Sequence, residues 1–169
     1  MANTLTPVNP RWVGNKNGKQ GMVPSAVVAD GAATWKAGEL LRQDADGLVY
    51  EVTTGQTSAQ YMAITDLAAA TGDETGAVLQ TVAVLDDGDM FEIFELDTTI
   101  GRASKGLQCG INVSSNLLTI DVSDVTNKIL EVVRVTSLDD RPYGPEASDD
   151  IKAKCIVKVM GTAIYAART

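Results

Sequence analysis

The side chains best equipped for chemistry in this chain are carboxylates. Asp86, Asp87, Asp89 and Glu92 crowd into DDGDMFE, and Asp44 and Asp46 into DADG. Closely spaced carboxylates suit calcium binding or paired acid/base work. Neither stretch has the D-x-[DN]-x-[DN]-G-x5-E order that converges oxygens on calcium. A hairpin tip with its carboxylates in water accounts for each equally well, and no metal site is assigned. The chain contains no histidine, which removes Ser-His-Asp and Cys-His nucleophile systems and imidazole metal ligands. With two Trp and two Phe, an aromatic platform for sugars is poorly supplied. The expectation is a protein without catalytic residues or cofactors.

The remaining motifs point the same way. GNKNGKQG lacks the order of a phosphate-binding loop. Lys158 invites comparison with the modified lysine of lipoyl and biotinyl domains, but it falls mid-strand rather than at a turn. Cys109 and Cys155 are the only cysteines, too few for a disulfide framework, and read as buried, inert thiols. Asn112-Val113-Ser114 fits a glycosylation sequon, yet the N-terminal residues show neither a basic start nor a hydrophobic signal core.

These residues must be placed by strands. Leu48, Tyr50 and Val52, then Leu118, Ile120 and Val122, then Cys155, Val157 and Val159 recur with period two, as in half-buried strands. Val78–Leu85 and Ile129–Val135 are apolar on both faces and suit a sandwich or barrel interior. Turn pairs such as Asp46-Gly47 and Asp87-Gly88 separate the runs. Asp66–Thr71 is the one helical candidate. Trp35, at the entrance to the first strand, reads as a core or barrel-end plug. The fold class expected is all-β, an antiparallel sandwich or small barrel with an extended N-terminal arm and at most one short helix. Residues 1–34 lack either period and hold three of the five prolines, so they read as an extended arm, with a disordered terminus as the alternative and Met22–Ala29 as a segment able to pair as a strand. Residues 35–169 read as the β domain, with two subdomains as an option and a boundary near 98–106.

Charge divides the chain in the same place. Residues 1–36 carry four basic groups against one acid, and the remaining 133 residues a net charge of −11. An acidic body repels nucleic acid and anionic lipid. No apolar run approaches the ~18 residues that span a bilayer. Neither nucleic acid nor membrane is expected as a partner. Trp12 is a large aromatic in a polar segment with no evident core to enter, which suggests an arm that orders on a neighbouring subunit.

From Trp35 to Glu95 the runs WKAGELLRQDADGLVYEV and YMAITDLAAATGDETGAVLQTVAVLDDGDMFEIFE carry a family pattern. A G-D/E-L-(V/L) strand and an acid-Gly turn precede an A-I-T/A strand and a G-D-x-F strand. In this the chain resembles the small head decoration, or cement, proteins of tailed bacteriophages, over about a third of its length. The resemblance implies a compact β domain on the outside of an assembled capsid and no catalytic residues. It also implies an arm laid across adjacent major capsid subunits, a virion location after synthesis in the bacterial cytoplasm, and contact with copies of itself as a dimer or trimer. The candidate partner-binding residues are Pro7, Arg11, Trp12, Lys16 and Lys19 in the arm. Arg141 and Tyr143 join them from the loop Leu138–Asp150. Two other readings stay open: a carbohydrate- or calcium-dependent recognition module, and a phage tail or baseplate component.

Overall fold

A computed structural model describes residues 9–68, 78–94, 104–115, 117–135 and 154–165. The chain is all-β, with two sheets. Strands β2 (Val23–Ala29), β3 (Leu40–Gln43), β4 (Val49–Glu51), β5 (Tyr61–Ala63) and β6 (Val78–Val84) close a small barrel in the order β2-β4-β3-β5-β6. The other sheet holds β1 (Arg11–Asn15), β7 (Asp89–Phe94), β8 (Gln108–Ser114), β9 (Leu117–Asp121), β10 (Leu130–Val135) and β11 (Lys154–Val159). Its order is β1-β7-β11-β10-β8-β9. One four-residue helix, α1 (Gly161–Ile164), follows β11.

Strand register explains why several runs are apolar on both faces. Leu41 pairs with Tyr61, and Ala63 with Val82; together with Val27, Ala29, Trp35 and Val49 they fill the barrel interior. Their neighbours Leu40, Met62 and Ala83 point the other way. There they join Phe91, Ile93, Ile111, Ile120, Val132 and Val157 of the second sheet in a larger core. The wall of β3, β5 and β6 therefore lies between two apolar layers. Trp35 is 1% exposed, as its place at the first strand suggests, and its backbone bridges to Leu67. That bridge puts Leu67 in a β pairing and leaves Asp66–Ala68 non-helical; the rest of the helical candidate lies outside the described residues.

The N-terminal segment is extended, but from residue 9 it is not a free arm. Strand β1 forms an edge of the larger sheet against β7, and β2 pairs along its whole length with β6. Asn9 Oδ1 accepts the Leu118 N–H at 2.9 Å. The polar, proline-containing composition of 9–34 reflects two short strands joined by a loop, which no apolar period of either kind reports. The changeover from barrel to sheet falls at Asp86–Gly88 between β6 and β7, and most of the expected boundary at 98–106 lies outside the described residues.

Gly38 is where this segment meets the barrel. Its φ is +91°, and a Cβ there would stand 2.6 Å from the Pro10 carbonyl oxygen. Gly55 has a similar φ of +86° and open space around it. Gly55→Ala should therefore cost only the backbone strain, about 1 kcal/mol. Gly38→Ala adds a backbone clash and should cost about 3 kcal/mol or more. Urea unfolding of the two variants checks the difference.

Candidate functional site

Trp12, Lys16 and Lys19, three of the candidate residues of the N-terminal segment, converge on the Asp86–Asp89 turn of the chain's own body. Asp89, at the start of β7, is completely buried. A carboxylate in that position has to be met by donors, because charge without compensation is costly away from water. Its Oδ1 accepts from Trp12 Nε1 at 3.1 Å and Asn15 Nδ2 at 2.9 Å. Its Oδ2 accepts the Asp86 N–H at 2.7 Å and lies 3.4 Å from Lys19 Nζ. Lys19 also reaches Asp86 at 2.7 Å, and these two acids hold its ammonium above its ordinary pKa despite opposing desolvation. The Lys16 N–H donates to Gly88 O, and Asn17 Nδ2 donates to Asp87 O.

This geometry corrects two expectations. Trp12 does have a core to enter: its ring packs against the larger apolar layer while its indole N–H serves Asp89. The Asp86–Asp89 turn is not a hairpin tip, since β6 and β7 belong to different sheets and do not pair; Asp86 and Asp87 are solvated as expected, but Asp89 is not. Lys16 remains exposed, and Arg11, 73% exposed in its side chain, makes a 3.4 Å contact with Glu92. Pro7, Arg141 and Tyr143 lie outside the described residues.

The other acidic stretch is a true hairpin. Asp44–Gly47 joins β3 to β4, with the Gly47 N–H on Asp44 O and the Leu48 N–H on Asp46 Oδ1. Arg42 pairs with Asp44 and lies over the Tyr50 ring. No group of three or more acidic or thiol side chains suited to a metal occurs among the described residues. Lys158 sits inside β11, opposite Glu131 and paired with it at 3.0 Å. Cys109 and Cys155 are both buried and form no disulfide.

Two outward faces differ sharply in charge. On the larger sheet, Arg11, Glu92, Lys154, Lys158 and Glu131 form a cross-strand array of ion pairs. The barrel's β2–β6 pair, VPSAVVA against VLQTVAV, has no charged residue. Register sets Val28 opposite Leu79 and Ala26 opposite Thr81, and all four are exposed, Leu79 by 71%. An exposed, uncharged ladder on a chain of net charge −8 is the surface best suited to contact with another macromolecule. Sequence reasoning missed it because Val28 and Leu79 look like core residues until register turns them outward. No family model, curated protein or solved structure matches this chain.

Removing the Asp89 carboxylate strands the Trp12 Nε1–H and Asp86 N–H donors, and leaves Asn15 a 3.5 Å contact with Asp87 O and Lys19 the half-exposed Asp86 alone. Asp89→Ala should cost about 3–5 kcal/mol, redden Trp12 fluorescence and speed proteolysis of residues 9–20. Asp86→Ala, at a half-exposed carboxylate, should cost about 1 kcal/mol or less. Equal losses in the two variants would refute the central role of Asp89.

Proposed function

We propose that this protein is a structural component of a virion, a capsid decoration protein that binds the outer surface of an assembled phage head and bridges major capsid subunits. The observation that carries the reading is the exposed, uncharged β2–β6 ladder on an otherwise acidic chain. The resemblance of Trp35–Glu95 to cement proteins supports it. Contact across subunit boundaries stabilises a shell because the bound protein favours only the assembled state. Many copies on one shell let modest individual contacts act together.

The fold alters how that contact would be made. Trp12, Asn15 and Lys19 are engaged by Asp89, so an arm that opens onto the capsid would first have to surrender those bonds. The β2–β6 face requires no such release, since Val28 and Leu79 already meet solvent. It is therefore the favoured contact surface, with the exposed Arg11 and Lys16 as secondary ones.

The experiment mixes the protein with expanded, undecorated phage capsids and measures bound stoichiometry and resistance of the shell to heat. Saturable binding with raised heat resistance is expected. Leu79→Asp should weaken binding by tenfold or more while leaving the protein's own melting temperature nearly unchanged, because surface substitutions cost within about 0.5 kcal/mol. Failure of the full chain to bind would overturn the proposal. Unaltered binding by the variant would move the contact off β2–β6.

A further inference from the structure

The described residues include two buried carboxylates, and only Asp89 has its oxygens matched by donors. Glu39 is 2% exposed, and its Oε1 has no hydrogen-bond partner. The register shows where it points. Leu41 lies opposite Glu51 on β4 and opposite Tyr61 on β5, and the Ala63 N–H donates to Glu39 O, which continues the ladder by one pair. Glu39 and Glu51 thus share the inner face with Leu41, Val49 and Ala63, in the diagonal relation of cross-strand neighbours. Glu51 Oε2 is also buried without a hydrogen-bond partner.

We propose that Glu39 and Glu51 form a proton-sharing carboxyl pair inside the barrel, so that the folded protein retains a proton that the unfolded chain releases. Glu39 is buried and Glu51, half-buried as a residue, keeps Oε2 away from water on the same face, and two carboxylates so placed cannot both remain ionised at modest cost. A proton donated between their unmatched oxygens removes one charge and supplies the missing hydrogen bond. A calcium ion fits less well, because it takes six to eight oxygens, whereas the surrounding layer is Val27, Ala29, Trp35, Leu41 and Val82.

The neighbouring charges do not neutralise the pair. Lys36 and Asp66 are exposed and bonded to each other at 2.8 Å. Tyr61 of β5 turns its hydroxyl to Gln43, and neither β2 nor β6 carries a titratable side chain. Burial pushes the Glu39 carboxyl from 4.5 to about 7, against a lowering hydrogen bond from the Lys36 backbone and the Lys36 charge, and with further raising by Glu51 and Asp66. Between those values the folded state binds more protons than the unfolded one. Stability therefore falls as pH rises through this window, and the loss is complete above about 7.

The measurement is urea unfolding of the wild type, Glu39→Gln and Glu51→Gln from about pH 5 to about pH 8, together with a carboxyl-carbon NMR titration of the wild type. The wild-type unfolding constant should rise on the order of a hundredfold across the range. Glu39→Gln should remove most of that rise and exceed the wild type in stability at the upper end. The NMR signal of Glu39 should titrate near neutrality, which tests the pair even if a variant fails to fold. Parallel profiles for wild type and Glu39→Gln would overturn the proposal, as would an ordinary Glu39 titration. Stabilisation of the wild type but not Glu39→Gln by calcium chloride at the upper pH would assign the pair to a metal instead.

Discussion

A stretch of strand with apolar layers on both sides has no face left for charge, and the wall formed by Leu40–Leu41 of β3, Met62–Ala63 of β5 and Val82–Ala83 of β6 is in that position. Leu40 and Leu41, Met62 and Ala63, and Val82 and Ala83 are consecutive buried residues whose side chains enter different layers. One short stretch of backbone thereby stabilises both the barrel and its contact with the larger sheet. Polar groups are displaced to the strand ends, to the turns and to the outer face of the larger sheet, where opposite charges pair across strands. The outward side of β2 and β6 escapes both layers and keeps small and apolar residues in water.

The two buried acids show how far this constraint reaches. Asp89 begins a strand where three side chains of the N-terminal segment and one backbone N–H arrive together, so its charge is met from four directions. Glu39 enters β3 beside Leu40, on the inner side of the barrel, where register sets a second carboxylate, Glu51, diagonally across the same face. Identical chemistry is thus stabilising in one place and a source of tension in the other. What differs is the supply of donors, and that supply comes from residues far away in sequence.

Much of the fold was legible because a period of two survives in the residues themselves. The alternation of Cys155, Val157 and Val159 is the inner face of β11; of the run Val78–Leu85, expected to be interior on both faces, only Val82, Ala83 and Leu85 are buried, while Leu79 and Thr81 face solvent. Partnership was not legible. Asp46-Gly47 and Asp87-Gly88 have the same turn chemistry, yet the first joins paired strands and the second crosses between sheets. Turn residues set local dihedral angles, not the strand a segment will find. For the same reason β1 looked like a tail, and the strand expected at Met22–Ala29 was legible as β2 while its partner β6, far down the chain, was not. The helix Gly161–Ile164 has four residues and no side-chain cap, which leaves no sequence signal to read. Of the candidate contact residues, Trp12 and Lys19 proved to be internal fastenings, while Val28 and Leu79 required knowledge of register.

The pairing of β1 with β7 and of β2 with β6 also sets an order of events. Arg11 meets Glu92 across 81 positions of sequence, so residues 11–29 leave the ribosome well before the strands that receive them. Until β6 and β7 are made, Val23, Val27 and Val28 have no ladder, and the barrel cannot close. Closing loops of that length is slow. Pro24, which has no N–H to give a ladder, makes the waiting strand a poorer template for mispairing.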